Sequence, residues 1–224
     1  MASEIVEPEI ERVKLSIAEE NLLEQMRNYV SKLAVLLQEI EVAMDDLFRQ
    51  KFESAKTRIV KIFEDVKSIY EYRSSLARYA SKISVSIANG SYYLSLVDSI
   101  SSLTDTLHKL SLDLGLLCSI KSSASESLVI SIQSTVGQLR DYITSIQELL
   151  LYLIESPSKV SGSATLIEKK FYDILQTLRS VHEDLGYELR EPVLINIITT
   201  LTALAHNLHN LGEKTVWMHL IRAS

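Results

Sequence analysis

The scarcity of glycine and proline is the feature that most constrains this fold. The 224-residue chain contains six glycines and three prolines, where average usage near 7% and 5% would give roughly 16 and 11. Architectures built from strands need such residues at their many turns. The prolines also lie outside the periodic apolar segments. The shortage therefore predicts an all-α protein.

Between the glycines and prolines, apolar residues recur every three or four positions, the period of an amphipathic helix. The first segment shows this at Leu22, Met26, Val30, Leu33, Leu37, Ile40, Met44 and Leu47. The pattern predicts six long helices, with a loop at about 156–163 before the fifth. Their predicted ranges are about 8–49, 53–88, 91–119, 125–155, 165–188 and 192–222. At 1.5 Å per residue, helices of roughly 35 to 60 Å favour an antiparallel bundle.

An internal repeat relates the third and sixth predicted helices. Residues 91–97 align with 192–198, and 103–110 with 204–211, at a constant spacing of 101. The aligned residues agree in kind. Four residues of the third helix are identical to their counterparts in the sixth: Leu103, Leu107, His108 and Leu110. The repeat predicts two related antiparallel three-helix bundles. Their ranges are 1–120 for the N-terminal half and 121–224 for the C-terminal half.

Composition argues against several classes of protein. A net charge of -6 and a pI near 5.5 disfavour nucleic-acid binding, which uses basic surfaces. The lone Cys118 can form no internal disulfide, and the N-terminus does not read as a signal peptide, so a cytoplasmic protein is expected. No charge-poor apolar run approaches the roughly 18 to 20 residues that span a bilayer. We therefore expect no direct membrane insertion.

The sequence also lacks the usual catalytic signatures. It contains no Gly-rich phosphate loop, no G-x-S-x-G, no H-E-x-x-H and no spaced set of Cys and His residues. Cys118 lies in an apolar run, where a buried, unreactive thiol is expected. The protein is therefore predicted not to be an enzyme.

Polar residues mark the outer faces of the third and sixth helices. On a helical wheel, His206 projects away from the apolar residues, and Asn210 and Asp105 lie on the corresponding outer faces. These side chains are either solvated or ligands for an ion. His108 and His209 fall between the core and the outer face, which favours half-buried, hydrogen-bonded histidines.

Two three-helix halves, a final helix that begins at Pro192 and outer-face polar positions four residues apart together resemble the PhoU-like family. Within it, the chain is most similar to the Pit accessory proteins, which are phosphate-transport regulators. The resemblance implies pairs of acidic residues, four apart on the second and third helices of each half, that hold iron, zinc or other divalent ions. Side chains at i and i+4 lie one turn apart on one helix face and can chelate a metal together.

The positions that match those pairs have lost much of their acidity. They are Asp105 with Lys109, His206 with Asn210, Glu71 with Ser75, and Lys169 with Asp173. The resemblance thus leaves five candidate metal ligands: Glu71, Asp105, Asp173, His206 and Asn210. A multinuclear cluster is not expected. The remaining prediction is one weakly bound divalent ion (Fe, Zn or Mg) held by His206, Asn210 and Asp173, or no cofactor.

Three functions remain open from the sequence. The first, implied by the resemblance, is a non-catalytic regulator that contacts a phosphate transporter or transport regulator at the cytoplasmic membrane face, as a monomer or homodimer. The second is a helical scaffold unrelated to phosphate, which assembles through exposed Tyr70, Tyr72 and Tyr79. The third is a metal-dependent hydrolase that uses His206, His209 and Asp173.

Overall fold

A computed structural model describes residues 15–121, 124–185 and 192–223, and every regular element in these ranges is an α-helix. The all-α prediction is therefore confirmed. The helices are α1 (Ile17–Phe48), α2 (Phe52–Ile83), α3 (Gly90–Ile120), α4 (Glu126–Glu155), α5 (Ser158–Leu185) and α6 (Pro192–Ala223).

Helices α2 and α5 lie on the outside of the bundle, and α1, α3, α4 and α6 form its inner group. Helix α1 packs against α2, α3 and α4, while α6 packs against α3, α4 and α5. Helix α2 thus lies across α1 and α3, and α5 lies across α4 and α6. One continuous apolar core contains residues from all six helices, because each helix directs its apolar stripe inward.

Helix ends differ from the predicted ones for local reasons. The first helix begins at Ile17 because Ser16 caps it, accepting from the Glu19 amide while the Glu19 carboxylate accepts from the Ser16 amide. Residues 8–14 and 186–188 of the predicted helices lie outside the described ranges. The predicted loop at 156–163 is wrong, since α5 already begins at Ser158. Pro157 is compatible with a helix start, and Val160 is fully buried in the core, so this turn is helical.

The burial pattern of α3 recurs in α6 at the predicted spacing. In α3 the buried side chains include Leu96, Ile100, Leu103, Leu107, Leu110, Leu114 and Leu117. The residues 101 positions later, from Ile197 to Met218, are buried as well. The division into halves 1–120 and 121–224 stays a prediction, and this recurrence supports it.

Hydrogen bonds between α3 and α6 join corresponding positions of the repeat. The Asn207 side-chain amide donates to the Thr106 hydroxyl at 2.8 Å, and these two residues are 101 apart. On one side of this bond, the Thr200 hydroxyl donates to the Asp113 carboxylate at 3.2 Å. On the other side, Lys214 donates to the Ser99 hydroxyl at 2.8 Å. Such reciprocal pairing is the pattern of an isologous interface between two related halves.

Candidate functional site

One polar cluster lies where α2 meets α3 in the N-terminal half. It comprises Tyr70 and Arg73 from α2 with Asp105 and His108 from α3, and we call it the α2–α3 cluster. The Arg73 guanidinium donates to Asp105 Oδ1 at 2.7 Å, and the Tyr70 hydroxyl donates to the same oxygen at 2.9 Å. Asp105 is thus bound from two residues one helical turn apart on the neighbouring helix.

The ring of Tyr70 organises the rest of this cluster. Its hydroxyl lies 3.2 Å from His108 Nδ1, and because its one proton points to Asp105, that histidine nitrogen must be the donor. The Tyr70 and His108 rings meet edge to face at 5.6 Å between centroids, and the Arg73 guanidinium lies over the Tyr70 ring at 5.6 Å. Burial, together with the bond to Asp105, raises the pKa of the Tyr70 phenol.

Further tyrosines connect this cluster to α1. The Tyr29 hydroxyl is buried and bonds to the Thr104 hydroxyl, and the Tyr72 hydroxyl donates to the Gln25 carbonyl at 3.2 Å. The prediction of exposed tyrosines at positions 70, 72 and 79 is wrong, since all three are half-buried against the core. Their apolar rings cover the core, and the hydroxyls of Tyr70 and Tyr72 bind neighbouring groups, which is the usual placement of a partly buried tyrosine.

A second cluster occupies the corresponding place in the C-terminal half. It comprises Phe171 of α5, Tyr142 of α4, and His206, His209 and Glu213 of α6, and we call it the α5–α6 cluster. The His209 ring stacks on Phe171, with 3.9 Å between centroids and 3° between planes, and His206 meets the same ring at 5.2 Å.

The polar atoms of His209 are also engaged. Its Nδ1 lies 3.2 Å from the Tyr142 hydroxyl, and its Nε2 lies 3.6 Å from the Glu213 carboxylate. Burial raises the pKa of the Tyr142 phenol, so this hydroxyl keeps its proton and can donate. The prediction that His108 and His209 are half-buried and hydrogen-bonded is confirmed.

The predicted metal ligands are not gathered into one site. All five are exposed, but Asp105 belongs to the α2–α3 cluster, His206 to the α5–α6 cluster, and Glu71, Asp173 and Asn210 to neither. Within residues 15–121, 124–185 and 192–223, no three His, Cys, Asp or Glu side chains are placed to hold a metal ion. Divalent ions need several donors at once. The described donor set therefore does not fit the metal centre that the family resemblance implies.

The sequence did not mark Arg73, Tyr142, Phe171 or Glu213 as cluster residues, and Tyr70 was predicted only as an exposed tyrosine. One signal was available, because Tyr70 and Phe171 show the same 101-residue spacing as His108 and His209. An aromatic residue that repeats in step with a histidine predicts a contact between them, and both contacts form. Cys118, predicted to be buried, is partly buried, with its Sγ 3.7 Å from the Phe52 carbonyl oxygen.

Comparison with known proteins addresses the fold. The sequence matches no protein-family model and no curated protein. Among solved structures, it is similar to a PhoU-like protein of Shewanella oneidensis MR-1 named for phosphate regulation. The TM-score is 0.72 at 12% identity, over 90% of this chain and 99% of that one. A further PhoU-like protein of that organism aligns with a TM-score of 0.71 at 11% identity, over 89% and 99%.

The chain has the PhoU-like fold. At these identities the likeness establishes the arrangement of the helices and not what the protein binds. In the described part of the chain, no helix combines the length and the apolar character needed to cross a membrane.

Proposed function

We propose that this chain is a PhoU-like regulatory protein that controls phosphate transport by contacting a transporter or a transport regulator. The observation that carries the proposal is the extent of the structural match. It covers 90% of this chain and 99% of a PhoU-like protein named for phosphate regulation. Because both halves take part in the match, the proposal concerns the whole described protein and not a shared helical hairpin.

The proposed regulator acts without chemistry of its own. In both clusters the polar side chains bind one another, as Asp105 does with Arg73 and His209 with Tyr142. An enzyme normally directs such groups toward a substrate cleft. The absence of catalytic motifs in the sequence supports the same interpretation. We place the protein in the cytoplasm, where it reaches the membrane through its partner.

Affinity purification from the native organism tests the partner. Tagged protein should recover a phosphate permease or a phosphate-responsive regulator from cells grown with scarce and with abundant phosphate, and the recovery should differ between the two. Deletion of the gene should change the rate of labelled phosphate uptake, and the intact gene should restore it. Unchanged uptake together with no phosphate-transport protein in the purified material would refute the proposal.

A helical scaffold is the rival that the same purified protein can test. A scaffold associates without limit, so its mass by light scattering should rise continuously with concentration. A regulator with this fold should instead give a constant mass, that of a monomer or dimer. Because Tyr70, Tyr72 and Tyr79 are partly buried against the core, they offer less surface for scaffold contacts than the exposed side chains that hypothesis requires.

A further inference from the structure

Asp105 stands at a position that the family resemblance assigns to a metal ligand, yet a protein cation already binds it. Arg73 lies on α2 and Asp105 on α3, so their 2.7 Å bond joins the two helices. The Tyr70 hydroxyl reaches both Asp105 Oδ1 at 2.9 Å and His108 Nδ1 at 3.2 Å. The Tyr70 hydroxyl therefore fills the space that a metal ion bound by Asp105 and His108 would occupy.

This arrangement opposes a divalent ion in two ways. An incoming cation would have to displace the guanidinium and the phenol from the carboxylate, and both bind it with short hydrogen bonds. It would also meet repulsion from Arg73 and from Lys109, which follows Asp105 by one turn on the same exposed face. Both effects act against metal binding, and both arise from side chains in the positions that they already occupy.

We propose that Arg73 replaces a bridging metal ion in the N-terminal half, joining α2 to α3 through Asp105 and making this contact independent of metal. Arg73 is suited to the role because its side chain is only 31% exposed and its guanidinium lies over the Tyr70 ring. Stacking and a short hydrogen bond restrict the guanidinium, so less entropy is lost than in a mobile surface pair. Proposed metal independence concerns stability alone and does not rest on the regulatory function.

The rival explanation is an ordinary surface ion pair that contributes nothing. Half-exposed pairs often contribute little, and the Asp105 side chain is 55% exposed. The chain offers a matched control in Arg179, whose Nε lies 3.1 Å from Glu183 within α5, with both side chains largely exposed. That pair joins residues of one helix, and among the described residues no aromatic ring lies beneath the Arg179 guanidinium and no second helix is joined through it.

Thermal unfolding of the full chain, followed by circular dichroism, separates these explanations. Arg73→Met keeps much of the apolar stem and removes the charge, and it should lower Tm by about 2 °C or more. Asp105→Asn should lower Tm similarly, and the double variant should lose clearly less than the sum of the two single losses. Arg179→Met should leave Tm unchanged. If Arg73→Met resembles Arg179→Met, or if the two losses simply add, the bridge does not exist.

Metal response supplies the second measurement. The wild-type Tm should be the same in EDTA and with added zinc, manganese or iron(II) salts, and elemental analysis should find less than stoichiometric metal after purification. A Tm that falls in EDTA and recovers with one of these ions would overturn the proposal, as would stoichiometric metal that Asp105→Asn removes. Variants that fail to fold do not affect this test, because it uses the unmodified protein.

Discussion

Replacing Gly90 by alanine tests the packing of the α2–α3 connection. Gly90 is the first residue of α3 and is buried, and the chain passes directly over it. A Cβ at this position would overlap the Ser84 carbonyl oxygen and lie 2.6 Å from the carbonyl carbon and 2.8 Å from Cα of that residue. Because these are backbone atoms, no side-chain rotation can relieve the overlap.

The size of the effect follows from two opposing contributions. Inserting a carbon into packed structure costs about 1–3 kcal/mol, while Gly→Ala reduces the entropy of the unfolded chain and returns about 0.4–1 kcal/mol. Because the overlap is with backbone atoms, the cost should lie in the upper part of its range, about 2–3 kcal/mol. We therefore expect a net destabilisation of about 1–2.5 kcal/mol, or about 2–10 °C in Tm for a chain of this length. Urea unfolding monitored by far-ultraviolet circular dichroism measures this difference directly.

Gly137 provides the matched control for that substitution. It lies in the middle of α4, and the nearest neighbour of an added Cβ is a Glu41 carboxylate oxygen at 4.0 Å. Gly137→Ala should therefore gain about 0.5–1 kcal/mol from helix propensity alone. If Gly90→Ala is neutral or stabilising while Gly137→Ala behaves as expected, the close passage of residue 84 over α3 is not as described.

Four further substitutions test burial and ionisation. Leu117→Ala should cost about 2–5 kcal/mol because this side chain is 2% exposed, whereas Leu116→Ala, at 48%, should stay within about 0.5 kcal/mol in urea unfolding. The hydrogen bond from Ser54, with the Arg58 contact, lowers the pKa of Asp46, so Asp46→Asn should be less stable near pH 7. That deficit should shrink as pH falls below about 4, because wild type then loses the same contribution. Burial raises the pKa of Tyr29 to about 12, so wild-type stability should fall as pH rises above 10, and Tyr29→Phe should flatten that slope in unfolding measured from pH 9 to 11.

The helices were predictable because their signal is local and redundant. Each core face is specified by many apolar residues that repeat with the helical period, as from Leu22 to Leu47 of α1. A single polar residue such as Asp46 does not obscure that pattern. Helix starts were less predictable, because they depend on a few residues. Helix α5 begins at Ser158, and Val160 in its first turn is buried in the core. The surrounding stretch is rich in Ser and contains Gly, so its sequence does not predict that burial.

The clusters were harder to predict because each needs residues from different helices. A helical wheel places His108 and His209 correctly between core and surface, yet it cannot say which side chain faces them. Tyr70 and Phe171 become partners only when α2 and α5 are set at a definite register against α3 and α6. That register is decided by packing along the whole helix, which no short motif encodes.

The two halves show where the repeat constrains the residues and where it does not. Across α3 and α6 the reciprocal bonds require partners at corresponding positions, but Asp113 and Lys214, 101 residues apart, carry opposite charges. Each still finds a hydroxyl, Thr200 or Ser99, because a hydroxyl can donate to a carboxylate and accept from an ammonium group. The geometry of the interface is therefore kept while its chemistry differs. The α2–α3 and α5–α6 clusters follow the same rule, because an aromatic ring meets a histidine in each. In the N-terminal half an ion pair lies beside this edge-to-face contact, whereas in the C-terminal half the two rings are stacked.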